Sequence, residues 1–184
     1  MEKIKSCSTT VIWPREKWSI PKTLTQRRSL KSSCGISMPL KIPEAMELEH
    51  EELHEELRKA TRMPGNVGKA AKRVAQVLHP HFERENELAL PVIGVARELA
   101  EEKTSADFPK ALELFEKFKP EYEKMLQEHV EIVKALDELE KVARKAKKAA
   151  VVDFARKLKL HAKTEEDLTY PAVLMAGKLL KQSM

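Results

Sequence analysis

The segment His81-Phe82-Glu83-Arg84-Glu85-Asn86-Glu87-Leu88-Ala89-Leu90-Pro91 returns 80 residues later as His161-Ala162-Lys163-Thr164-Glu165-Glu166-Asp167-Leu168-Thr169-Tyr170-Pro171. The histidine, the glutamate four residues on, the acid at Glu87 or Asp167, the leucine and the closing proline all recur. A second pair frames the first. Glu49-His50-Glu51-Glu52-Leu53 returns as Glu128-His129-Val130-Glu131-Ile132 at an offset of 79, and Leu57 returns as Leu136. Units of this length cannot bury an apolar face alone and pack against their copies. The chain thus reads as two helical hairpins related by a pseudo-two-fold, which makes an all-α, up-and-down four-helix bundle.

Local signals place the helices. Pro43 suits a first helical turn, Glu44 and Glu47 sit at its positive end, and Arg58, Lys59 and Arg62 sit at its negative end. Met63-Pro64-Gly65-Asn66 is the turn. The second helix runs from about Val67 to Leu90, with Pro80 inside it, and Pro91 marks an end or a kink. Thr104 or Ser105 with Pro109 opens a third, which passes Pro120 and carries Met125, Ile132, Leu136 and Leu139. The fourth carries Val152, Phe154, Leu158, Leu160 and Leu168 to Pro171 and one or two turns beyond. No Gly or Pro marks the turn between the last two. Shifting Gly65 by the repeat offset puts it near Lys145.

Charge divides the chain at the same boundary. Residues 1–41 hold nine Lys or Arg against Glu2 and Glu16, a net of +7, leaving 25 basic and 27 acidic residues beyond, a net of −2. The overall +5 therefore belongs to a basic, disordered extension, and residues 42–184 form the bundle, slightly acidic and without a nucleic-acid role. The extension is Arg- and Ser-bearing and poor in acids, as in an organellar transit peptide, or else an over-extended start with initiation at Met38. Cys7 and Cys34 lie there outside any CxxC spacing, so no disulfide scaffold is implied. No run of about 18 apolar residues or signal-peptide core occurs, so a soluble cytoplasmic protein is expected, with no membrane partner.

The repeat also locates the chemistry. A residue four further along an α-helix is rotated by about 40° and raised by about 6 Å, so His81 with Glu85, His161 with Glu165, and His50 with His54 each share a face. His79 lies about 200° from His81 and points elsewhere. Imidazoles with carboxylates suit a pair of borderline first-row ions, iron first, manganese or zinc second, rather than calcium or magnesium. Five imidazoles and two bridging carboxylates supply about nine bonds and a hydroxide two more of the roughly twelve that two octahedral ions take. About one position stays open, as binding of O₂ or another small diatomic requires.

Between Pro43 and Leu180 these motifs resemble the hemerythrin-like, HHE cation-binding family. In order come Glu-His before an apolar helix, His-Phe-x-x-Glu, a second Glu-His, and His-x3-Glu-Glu closing on Tyr-Pro. The resemblance implies a four-helix bundle and assigns metal binding to His50, His81, Glu85, His129, His161 and Glu165, the two glutamates bridging. His54 is added because oxygen-carrying members have a histidine pair one turn apart on the third helix. Here Val133 fills that second place, and the pair is His50 with His54 on the first. A three-histidine ion would then use His50, His54 and either His81 or His161, with His129 taking the other. The last carboxylate is Glu165, the repeat mate of Glu85, or Glu166, which stands where oxygen carriers place theirs.

Read alone, any of these histidines is a surface or core residue, and it is their repeat-related placing that points to metal. Glu83, Glu87, Glu131 and Asp167 read as a solvated face, and Lys141 to Lys148 as an exposed helix end. The family's roles are to bind, store or sense O₂, nitric oxide, peroxide or iron. A di-iron oxidase or peroxidase is the alternative, weakened because such bundles present Glu-x-x-His and more carboxylates. A metal-free helical adaptor is the third reading.

Overall fold

A computed structural model describes residues 40–183, and the expected basic extension, Cys7, Cys34 and the start at Met38 lie outside the described residues. The described residues are helical, with no strand among them. Helix α1 spans Glu44–Thr61, with Pro43 before it, acids in its first turn and Arg58 and Lys59 in its last. Helix α2 spans Gly65–Arg84, starting two residues earlier than expected on Gly65, whose φ of 72° a residue with a Cβ adopts only at a cost. Pro80 is carried inside α2.

After α2 the chain continues through a π-helical turn, Glu85–Ala89, into the short helix α3, Leu90–Ile93. A further short helix, α4 (Ala96–Ala100), has no forerunner in the sequence reading. Helix α5 runs unbroken over Phe108–Lys145, with Pro109 in its first turn and Pro120 inside. Helix α6 (Ala149–Thr164) follows, then a second π-helical turn, Glu165–Thr169, and α7, Tyr170–Ser183. The turn that lacked a Gly or Pro signal falls where the repeat placed it. Lys147 takes the left-handed conformation, φ 53°, that a glycine would otherwise supply.

The helices form a bundle in which α1 lies against α2 and α6, and α5 lies against α2 and α6, while α7 packs on α5 and α3. Two apolar cores hold it. One joins Leu53, Leu57, Val74, Leu78, Ile132, Leu136 and Leu158. The other joins Val92, Phe115, Phe118, Met125, Tyr170 and Val173. Leu40, which the sequence reading put in the extension, packs against the second. On α5, His129 stands between Met125 of one core and Ile132 of the other; along the run from α2 to α3, Glu85 stands between Leu78 and Val92. The band between the cores is where the candidate ligands fall.

No helix among the described residues is long and apolar enough to cross a membrane.

Candidate metal centre

Burial singles out six polar side chains. His50, His81, Glu85, His129, His161 and Glu165 are each at most 5% exposed and are the buried polar residues of the described chain. They come from every long helical run: His50 from α1, His81 from the end of α2, His129 from α5 and His161 from α6, while Glu85 and Glu165 each open a π-helical turn. Those turns have a local cause. Pro91 and Pro171 have no N–H to continue the α register, and each ring would press on the carbonyl four residues back. The chain instead bonds Leu90 N–H to Glu85 O and Tyr170 N–H to Glu165 O. Such turns recur at functional sites.

The six form two overlapping groups. Ligand atoms of His50, Glu85, His161 and Glu165 lie within 4.8 Å of one another, and so do those of His81, His129 and Glu165. The histidines thus pair α1 with α6 and α2 with α5. The carboxylates span the pairs. Glu165 Oε1 lies 3.4 Å from His50 Nε2 and 2.7 Å from His161 Nε2, while its Oε2 lies 3.3 Å from His129 Nε2. Glu85 Oε2 is 3.7 Å from His50 Nε2 and 3.8 Å from His81 Nε2.

An outer ring orients the imidazoles. His81 Nδ1 donates to Glu128 at 3.1 Å, His129 Nδ1 to Glu166 at 3.2 Å, and His50 Nδ1 to the Asn86 side-chain oxygen at 3.2 Å. Glu49 Oε1 stands 3.3 Å from His161 Nδ1. Arg84 in turn binds Glu128. A ring that carries its proton on Nδ1 has its Nε2 lone pair turned inward, ready for a cation. The ring obeys the repeat: Glu49 and Glu128 are mates, as are Asn86 and Glu166. Glu49, Asn86 and Glu128 were missed as functional residues, although the Glu-His dyads of the sequence carried the signal for two of them, and Glu166 was named only as the alternative ligand.

The expected ligands sort accordingly. Glu165, not Glu166, enters the cluster, and Glu166 serves behind His129. His54 is not brought in. Its ring meets Phe82 edge-on at 4.9 Å and His79 at 6.3 Å, and Phe82 stacks on His50 at 4.1 Å, so a phenyl ring stands between the two histidines of α1. His79 lies off the cluster beside Glu83, 3.3 Å away.

Electrostatics mark the site as built for cations. Burial, then the Glu165 charge, pushes Glu85 well above the usual carboxylate range. Burial would raise Glu165 too, but the imidazoles of His129, His161 and His50 hold it well below. Glu85 therefore holds its proton to higher pH than Glu165 does, and the two titrate as a pair. Burial and then His129 lower His81 to about 4. Burial would lower His161 as well, yet Glu165 and Glu49 raise it. Burial and the two carboxylates push the Tyr170 phenol upward.

A bound metal fits these residues. Both Glu85 oxygens, Glu165 Oε2 and His161 Nε2 are buried without a hydrogen-bond partner, each a cost of about 1–3 kcal/mol. His161 Nε2 lies close to Glu165 Oε1 but off the line of a hydrogen bond, as donors aimed at a common point do. His81 Nε2 and His129 Nε2 stand 2.9 Å apart. That distance suits a hydrogen bond between the rings, and it also suits two nitrogens turned toward one shared cation. Imidazole nitrogen with carboxylate oxygen suits iron, manganese or zinc.

Comparison with known families agrees. The model of the hemerythrin HHE cation-binding domain matches residues 41–173. No curated protein and no solved structure matches the chain.

Proposed function

Because this chain belongs to the hemerythrin HHE cation-binding family, we propose that its bundle holds two non-haem iron ions and binds, stores or senses O₂, another small diatomic or oxidant, or iron itself. One ion lies with His50 and His161, the other with His81 and His129, and Glu85 and Glu165 bridge them. The observation that carries the reading is Glu165, whose two oxygens face different histidine pairs. A reduced iron pair, when bound, supplies electrons and an open coordination position for a small molecule. The chain's own part is to hold four lone pairs inward, to fix the imidazoles through Glu49, Asn86, Glu128 and Glu166, and to exclude water with the apolar cores on either side.

We further read the four helical runs as an up-and-down bundle, the stretch up to α3 and the stretch from α5 related by a pseudo-two-fold, with the basic extension outside it. The matched π-helical turns and the matched outer ring support this. Six residues hold the ions in this reading. His54 would reach the first ion only if the Phe82 ring rotated away, so it is left out of the resting set.

Elemental analysis of the purified protein tests the proposal. Two equivalents of a first-row metal, mostly iron, are expected, together with an absorption spectrum that responds to O₂ or azide. His129→Ala should lower the content by about one equivalent. Unchanged stoichiometry in that variant, or a wild-type protein that takes up no metal, would overturn it.

A further inference from the structure

Tyr170 breaks the repeat at the cluster. An offset of 80 pairs it with Leu90, and both side chains are fully buried. An apolar residue therefore suffices at this place in the fold, and the hydroxyl adds a polar group that costs about 1–3 kcal/mol unless it finds a partner. What it finds is the cluster. On an α-helix a residue five positions on sits about 140° away, and the π-helical turn winds Tyr170 back toward the face of Glu165. Its ring stacks on His129 at 5.5 Å and 14°.

The phenol oxygen lies 3.5 Å from His81 Nε2 and 3.4 Å from His129 Nε2, and those nitrogens are 2.9 Å apart. Three donor atoms thus form a triangle with sides of 2.9, 3.4 and 3.5 Å, small enough for one first-row ion with bonds of about 2.0–2.2 Å to touch all three. A hydroxyl has one proton, which can go to one of the two nitrogens or to the Glu85 carboxyl beside it, and so cannot satisfy both lone pairs. A cation seated against the triangle satisfies all three atoms.

Resting on the paired-iron reading above, we propose that Tyr170 is a further metal ligand, its phenolate oxygen binding the ferric ion held by His81 and His129. The iron–oxygen bond forms as the phenol O–H breaks, and the proton leaves to solvent.

The full chain, loaded with ferrous iron without air and then oxidised with ferricyanide, provides the test. A visible phenolate-to-iron charge-transfer band with resonance-enhanced tyrosinate ring modes is expected. The chain has two tyrosines, so the band must survive Tyr122→Phe and vanish in Tyr170→Phe. Because the first of these variants already assigns the band, a poorly folding second one does not blunt the test. Iron bound at two equivalents without tyrosinate modes would overturn the inference while leaving the paired site standing, and so would a band lost in Tyr122→Phe. Absence of bound iron from the wild type would instead overturn the site itself, and the inference with it.

Discussion

Glu85→Gln separates what this carboxyl does to the metal-free fold from what it does for bound ions. Both Glu85 oxygens are buried without a hydrogen-bond partner, and burial with the nearby Glu165 charge keeps the group protonated well above the usual range. Such a group costs the fold about 1–3 kcal/mol. A glutamine of the same shape carries no ionisation penalty, and its amide N–H can donate toward the Nε2 lone pairs of His50 and His81, which face Glu85 Oε2 at 3.7 and 3.8 Å. The metal-free variant should therefore be the more stable, by about 1–2 kcal/mol, or roughly 2–8 °C in melting temperature for a chain of this size. Metal reverses the order. At about a thousandfold excess over its dissociation constant an ion adds about 4 kcal/mol, and the variant, having lost an anionic oxygen shared by both ions, gives up at least a tenfold share of affinity, or about 1.4 kcal/mol per ion. Thermal melts followed by circular dichroism, with chelator and with redox-silent Zn(II), read both arms. A variant less stable than wild type in chelator, or one that gains as much from metal, would refute the reasoning.

Two further outcomes follow from the same geometry, and a third from the second core. Glu128→Gln should weaken metal binding by about 10–100-fold, the usual loss when the group behind a ligating histidine is removed; competition with a chromophoric chelator measures it, and the exposed Glu131→Gln should change nothing. The metal-free protein should lose stability in acid through His81. Its folded form takes up a proton only near pH 4, whereas the unfolded chain does so at about 6.5, so the contribution is intact above 6.5 and falls by up to about 3 kcal/mol on the way to 4. Urea midpoints at pH 7 and 5 should therefore differ less in His81→Gln than in wild type. Gly177→Ala should lower stability by about 1–3 kcal/mol, because the added carbon would meet the Phe115 ring at 2.3 Å; Phe115→Leu in the same chain should restore part of the melting temperature.

The repeat made most of the fold legible, and for a physical reason. Two hairpins that bury each other must carry matching apolar faces, so Leu53 and Ile132, or Leu57 and Leu136, recur because both fill one core. The same copying exposed the turn at Ala146–Lys148, where no residue type announced it and Lys147 accepts a strained conformation. What stayed hidden had no copy or no composition signal. Helix α4 sits in the link between the hairpins, where the repeat is silent. The π-helical turns were written only as Pro91 and Pro171, which sequence reading takes for an end or a kink. Whether a proline stops a helix or merely adds a residue to one turn depends on the packing of the segment beyond it, here Leu90 and Tyr170.

The candidate site divides along a similar line. Imidazole and carboxylate at i and i+4 declare a shared face within one helix, so His81 with Glu85 and His161 with Glu165 could be named from spacing, while His50 and His129 came from the repeat and the family resemblance. Spacing within a helix is mute about what stands between helices. His50 and His54 obey the same rule as His81 and Glu85, yet Phe82 from α2 enters between them and leaves His54 packed against that ring instead. The outer ring is likewise a property of pairs from different helices, Glu49 with His161 and Glu128 with His81. Tyr170 is the extreme case. Nothing in a lone tyrosine before a proline distinguishes a core residue from a ligand, and only its departure from Leu90, seen beside two nitrogens 2.9 Å apart, gives the hydroxyl a purpose. In a repeated bundle the matches at apolar positions report what both halves need for folding, and a mismatch at a buried position, Tyr170 against Leu90, is where the halves become chemically distinct.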